Sequence, residues 1–315
     1  GWVSYDYRAF TRTPLALPAE GLVYELAPGR SLRALATDLE HRGVIDNARY
    51  LEWLARRKGV AARVQAGEYR IPAGTRPEAF LNLLVAGKVV QYSLTIIEGW
   101  TFQQMLAAVR AHPVLVQTLH DQTPQAIMAA LGHPDEHPEG RFLPDTYHFP
   151  HGMTDRAFLA RAHSALRQTL AREWSQRAEG LPLKTPEEAL ILASIIERET
   201  GVPEERATIA GVFVRRLQLG MRLQTDPTVI YGLGEAFDGN LRRRDLRSDT
   251  PYNTYTRFGL PPTPIALAGA AAIHAALHPA DGDALYFVSK RDGSHQFSAT
   301  LEEHNRAVRT YQLTR

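Results

Sequence analysis

Near its middle the chain runs Leu190-Ile191-Leu192-Ala193-Ser194-Ile195-Ile196-Glu197-Arg198-Glu199-Thr200-Gly201. Thr185 before Pro186, with Glu188 three residues on, forms an N-cap and capping-box signal, so the spacing predicts a helix that starts there. Apolar residues fill nearly every position through Ile196, so the helix must be buried on most sides. Gly201 and Pro203 are expected to end it.

Two carboxylates in the last turn are unusual, because the C-terminal end of a helix carries partial negative charge. Burial, the helix dipole and a like-charged neighbour all disfavour ionisation and raise a carboxyl pKa. A Glu that keeps its proton near neutral pH is what acid-catalysed cleavage of a glycosidic bond requires. The plainer alternative makes Glu197 and Glu199 exposed end residues partly neutralised by Arg198, and the pattern leaves both open.

With 315 residues, the chain is long enough for two domains with their own cores. Its 36 basic and 34 acidic residues nearly balance, which gives no general case for nucleic-acid binding. The pairs and triplets Arg215-Arg216 and Arg242-Arg243-Arg244 read as solvated faces or ion pairs. The absence of cysteine removes disulfides, thiol nucleophiles and Cys-based zinc sites together. No run reaches the roughly 20 apolar residues of a membrane helix. The aromatic start, Trp2, Tyr5, Tyr7 and Phe10, fits either the flank of a membrane anchor or an ordinary leading strand.

Residues 1 to about 20 read as irregular. A strand over Val23–Leu26 follows, then helices through Leu32–Leu39 and Tyr50–Ala55, a strand over Gln65–Pro72 and a helix from Pro77 closed by Gly87. Beyond it come a strand over Val89–Ile97, a helix capped by Thr101 and a Pro-rich stretch over 132–140. A long helix through Phe158 to Trp174 precedes the Glu-bearing one, and another runs from Pro203 to Leu219. Asp226-Pro227 reads as an N-cap and N1 pair. Residues 234–264 lack apolar periodicity, and a loop of that length is often functional. A hairpin around Asp292-Gly293 and a helix capped by Thr300 with Glu303 finish the chain.

There is no nucleophile elbow, phosphate loop or dinucleotide fingerprint. His133, His137, His148 and His151 lie near Asp135 and Glu136, but their spacing fits no metal template, so no metal site is expected. Gln224, Asp226, Tyr231, Tyr252, Asn253, Tyr255 and Phe258 concentrate after the Glu helix. Aromatic faces beside amides and carboxylates suit sugars, and they equally suit half-buried packing.

Long segments resemble the YceG-like (MltG-type) endolytic murein transglycosylases. They are Glu139-Gly140-Arg141-Phe142-Leu143-Pro144-Asp145-Thr146-Tyr147, Ala193 through Thr200, Met221 through Gly232, Tyr252-Asn253-Thr254-Tyr255, Gly259-Leu260-Pro261-Pro262 and His304-Asn305. The resemblance implies an α+β chain: a juxtamembrane segment over 1–21, a small LysM-like α+β domain over 22–88 and a larger mixed α+β catalytic domain over 89–315.

It further implies a bacterial lyase that cleaves the β-1,4 bond from N-acetylmuramic acid to N-acetylglucosamine within peptidoglycan strands and leaves a 1,6-anhydro end. No cofactor is implied. An N-terminal helix absent from this chain would hold the enzyme at the periplasmic face of the inner membrane, beside cell-wall synthases of elongation or division. The family's catalytic Glu falls on Glu199. Glu197 is the runner-up, about 200° away around the helix. Substrate contact is expected from Gln224, Asp226, Tyr231, Tyr252, Asn253 and Tyr255. A hydrolytic muramidase and a non-catalytic glycan-binding scaffold are the alternatives.

Overall fold

A computed structural model describes residues 2–313. It is mixed helix and small two-stranded sheets, an α+β chain as the sequence implies. The chain divides into two compact units: one runs up to Ser93 and takes back His148–Met153, and the other holds Leu94–Tyr147 and everything from Thr154 on.

The first unit opens with α1 (Trp2–Arg12), then β1 (Leu22–Leu26), α2 (Leu32–His41), α3 (Ala48–Arg57), β2 (Gly67–Ile71) and α4 (Pro77–Ala86). β1 and β2 pair antiparallel with Tyr24 opposite Tyr69. Both tyrosines point into a core with Leu35, Leu39, Leu51, Phe80 and Leu84. Ser31 and Asn47 cap the helices through their side chains, as their residue types favour. α1 departs from the irregular segment expected there. Tyr7 stacks edge-on against Tyr50 at 5.7 Å and lies 6.3 Å from Trp53, so packing on α3 supplies what local sequence does not signal.

β3 (Gln91–Thr95) pairs with the strand Thr146–Pro150. α5 (Phe102–Ala111) carries the expected Thr101 cap as a full capping box with Gln104. α6 (Pro124–Ala130), β4 (Thr146–Pro150) and the long α7 (Asp155–Ser175) follow.

α8 (Pro186–Glu199) is the centre of the second unit. Every residue from Ala189 to Ile196 is buried, against α7, α9 (Arg206–Gln218) and α12, described below. Ser194 is fully buried there without cost, because its Oγ donates to Ile191 O at 2.7 Å and accepts from Ile265 N at 3.0 Å. Thr185 caps α8 as expected, accepting from Glu188 N at 3.2 Å. The Glu188 carboxylate instead takes the Lys184 N–H at 2.6 Å, one residue earlier than a capping box requires. The helix ends where Thr200 turns extended, before Gly201, and Pro203 opens a single 3-10 turn ahead of α9.

α10 (Asp226–Leu233) starts one residue earlier than the sequence implies: Thr225 is the N-cap and Asp226 the first helical residue. Between 234 and 264 the only regular pieces among the described residues are a 3-10 turn at Gly234–Ala236 and α11 (Arg243–Arg247). α12 (Ala270–Leu277) closes the core. The hairpin of β5 (Tyr286–Ser289) and β6 (His295–Ser298) and α13 (Leu301–Val308) complete the fold, with the Thr300–Glu303 capping box in place. No described helix is long and apolar enough to cross a membrane.

Candidate active site

Glu199 is the last residue of α8, and its carboxylate faces a cavity of about 510 Å³. That volume lies in the range of small-ligand sites, about 300–1,000 Å³. One wall comes from Gln224, Asp226 and Tyr255; the other comes from the hairpin and α13, with Tyr286, His295 and His304.

The Glu199 carboxylate accepts a hydrogen bond from the Thr225 hydroxyl. This explains why Thr225, although it stands at an N-cap, makes no capping bond. Thr225 is itself fixed: its N–H donates to Thr254 Oγ1 at 3.0 Å, and Thr254 Oγ1 lies 2.8 Å from Thr228 Oγ1. A buried threonine cluster thus holds the partner of the acid in one place.

Burial pushes the Glu199 carboxyl up to about 7, and the negative charge of Asp226 pushes in the same direction. The Thr225 hydrogen bond and His295 act the other way without winning. The like-charged neighbour is therefore Asp226, not Glu197. Tyr255 donates to Asp226 Oδ1 at 2.6 Å. Burial, reinforced by that carboxylate, raises the Tyr255 hydroxyl well above its ordinary range, so it remains a donor at neutral pH.

Gln224 adopts φ +52°, a left-handed conformation rare outside glycine. Arg216 over-determines it. The buried guanidinium donates from Nη1 to Arg222 O at 2.8 Å, Leu223 O at 3.2 Å and Gln224 Oε1 at 3.4 Å. Its Nε reaches Leu285 O at 2.7 Å, and it stacks over Tyr286 at 5.0 Å. One side chain therefore ties the 222–224 segment to the start of the hairpin. Arg215 likewise donates to Ala284 O at 2.8 Å, so the Arg215-Arg216 pair is structural and not the solvated cluster expected from its charge. His295 is clamped by Glu205, which takes its N–H at 2.8 Å and its Nδ1 at 2.7 Å.

The remaining residues expected at the site stand elsewhere. Glu197, 5 % exposed, accepts from Gly269 N at 2.9 Å and does not line the cavity. Asn253 is buried within its loop: Nδ2 donates to Ser248 O at 2.7 Å, and Oδ1 accepts from Tyr255 N at 2.8 Å. It shapes the backbone that presents Tyr255. Tyr252 meets Tyr231 edge-on at 4.9 Å, and both pack on the core around α8. Tyr231 donates to Glu139 Oε2 at 3.1 Å, and burial pushes the Glu139 carboxyl up to about 7. Glu139 also accepts from Phe102 N at 2.8 Å, so it caps α5 as well.

Sequence reasoning missed Thr225, Arg216 and His295 as parts of the site. The signal for Thr225 was present: a hydroxyl immediately before a helix that begins with Asp-Pro. Among the described residues, no three-ligand group of His and carboxylates lies in the cavity; those that exist are elsewhere.

A hydrogen-bonded carboxyl, pushed towards neutrality beside a second carboxylate and a tyrosine in a polar cleft, has the chemistry that general-acid catalysis requires. The chain matches the model of the YceG-like family over residues 24–310, and it belongs to that family. It is 34 % identical over 301 residues to an endolytic murein transglycosylase of Bacillus subtilis, covering 90 % of this chain and 82 % of that one. An endolytic murein transglycosylase of Streptococcus pneumoniae is 26 % identical, covering 98 % of this chain and 62 % of its relative. A crystal structure of a YceG-like protein from Listeria monocytogenes superposes with a TM-score of 0.56 at 31 % identity, covering 92 % of this chain and 99 % of that one.

Proposed function

We propose that this chain is an endolytic murein transglycosylase, a lyase that cuts the β-1,4 bond from N-acetylmuramic acid to N-acetylglucosamine within glycan strands, with Glu199 as its acid and base. The observation that carries the reading is the Glu199 carboxyl held at about 7 by burial in a cavity it shares with Asp226 and Tyr255.

The steps balance around one carboxyl. Protonated Glu199 gives its proton to the glycosidic oxygen as the bond from the muramic acid C1 breaks and positive charge develops on the ring. The 6-hydroxyl of the same sugar then bonds to C1, and its proton passes to the Glu199 carboxylate. The acid is restored, and no water is consumed. An internal nucleophile removes the need for the second carboxylate that ordinary glycosidases use to position water or attack the sugar. Asp226 serves charge: its carboxylate faces the developing cation and keeps Glu199 protonated. Gln224 and Tyr255 hold the ring, where fixed geometry supplies much of the rate.

Asp226 in the cavity is also the one feature that favours a hydrolytic muramidase. Mass spectrometry of fragments released from purified sacculi separates the two. Products one water lighter than hydrolytic fragments are expected; fragments of full hydrolytic mass would overturn the transglycosylase reading.

The first unit, with its own core between one strand pair and four helices, supports a LysM-like module that grips N-acetylglucosamine-containing strands. The reading places the enzyme at the periplasmic face of the inner membrane, anchored there and working beside cell-wall synthases.

A further inference from the structure

Away from the cavity, two elements of the second unit bring together three groups that sequence spacing keeps apart. His133 and Glu136 lie in the loop after α6, and His163 projects from α7. Glu136 joins the two rings, with Oε1 3.4 Å from His133 Nδ1 and Oε2 2.8 Å from His163 Nε2. The imidazoles stack with centroids 4.1 Å apart. One ligand atom from each of the three residues lies within 4.8 Å of the others. His163 is 3 % exposed while His133 and Glu136 are 24 % and 32 % exposed, so the cluster has a closed back and an open front.

Donors bound to one tetrahedral cation at about 2.0–2.1 Å stand ~3.3 Å from one another. The two donor spacings, 3.4 and 2.8 Å to the two oxygens of Glu136, bracket that value. Two imidazoles, one carboxylate and a free fourth direction form a ligand set suited to zinc. The loop is already set in shape, because His133 N bonds Met128 O at 2.9 Å and Glu136 N bonds His133 O at 3.2 Å. Arg141, whose charge would oppose a cation, is paired with Glu187 at 2.6 Å.

We propose that His133 Nδ1, His163 Nε2 and the Glu136 carboxylate form a zinc site that clips the loop after α6 to α7. Water or a ligand from outside completes the coordination. The site takes no part in bond cleavage.

Calorimetric titration of metal-stripped protein with zinc chloride tests it, with cobalt(II) absorption as a second readout. Saturable binding near one equivalent is expected, together with a rise in Tm when zinc is present. Glu136→Gln, which keeps the shape of the side chain, and His133→Ala are each expected to weaken binding at least tenfold.

A second group, Glu173, His274 and His278, provides the control. It is more open, with His274 60 % exposed and the His278 ring nitrogens facing carbonyl oxygens at 3.1 and 2.8 Å. His274→Ala is therefore expected to leave the affinity unchanged. Absence of saturable binding, unchanged affinity in Glu136→Gln, or loss of binding in His274→Ala would each overturn the proposal.

Discussion

Replacing Glu199 by Gln is expected to reduce release of glycan fragments from sacculi by roughly 10²–10⁴-fold, the usual contribution of a positioned acid. The amide keeps the size of the side chain and can still accept from the Thr225 hydroxyl, so Thr225 and α10 stay in place. It has no proton to give to a leaving oxygen.

Stability should move in the opposite sense from activity. Between the ordinary Glu pKa of about 4.3 and about 7, the native state holds a proton that the unfolded chain has lost. Wild-type stability therefore falls as pH rises through that window and levels off above it. Gln carries no such penalty, so Glu199→Gln is expected to be at least as stable as wild type above pH 7 in urea denaturation. A dead enzyme that is no less stable locates the loss in chemistry; full activity in the variant would remove Glu199 from the mechanism.

The second large effect concerns Arg216. Arg216→Met fills much of the same space but leaves the carbonyls of Leu285, Arg222 and Leu223 without their donor. Each buried acceptor so orphaned costs about 1–3 kcal/mol. Some of this is recovered, because burial also pushes the guanidinium below its usual pKa and removing it relieves that strain on a buried charge. A net loss of about 3 kcal/mol is expected, read as a lower urea midpoint.

Activity should fall with it, even where the variant remains folded. Gln224 holds its left-handed backbone between Arg216 and Thr254, and Thr225 follows directly. Arg216→Lys is expected to fail as well, because an ammonium cannot reach the hairpin carbonyl and the 222–224 carbonyls in one plane. Full rescue by Lys would show that charge, and not the fork, is what the site needs.

What the sequence disclosed follows the range of each interaction. α8 was legible because an unbroken apolar run after a Thr-Pro start has one reading, a buried helix. The α13 capping box and the hairpin at Asp292-Gly293 were legible for the same local reason. Asp226 and Tyr255 shared a segment rich in sugar-binding residue types and do line the cavity with Gln224. The same composition could not separate Asn253 and Tyr252, whose polar atoms turn inward to the loop and to Thr263.

Other features depend on partners far along the chain. α1 forms against α3, and Arg216 finds its acceptors across the hairpin. His163 meets Glu136 only because α7 returns past the loop after α6. No spacing rule spans such separations. The resemblance to a known family pointed to Glu199, while the structure supplied what raises its pKa, burial first and then the neighbouring charge of Asp226, and what fixes its carboxylate, the Thr225 hydroxyl in a buried threonine cluster.

The most direct measurement is the titration of the Glu199 carboxyl itself, followed by NMR of protein carrying ¹³C-labelled glutamate and assigned by its loss in Glu199→Gln. A resonance with a midpoint near 7 that disappears in the variant is the expected result. A midpoint near 4.3, where exposed glutamates titrate, would contradict it and leave no acid to start the reaction.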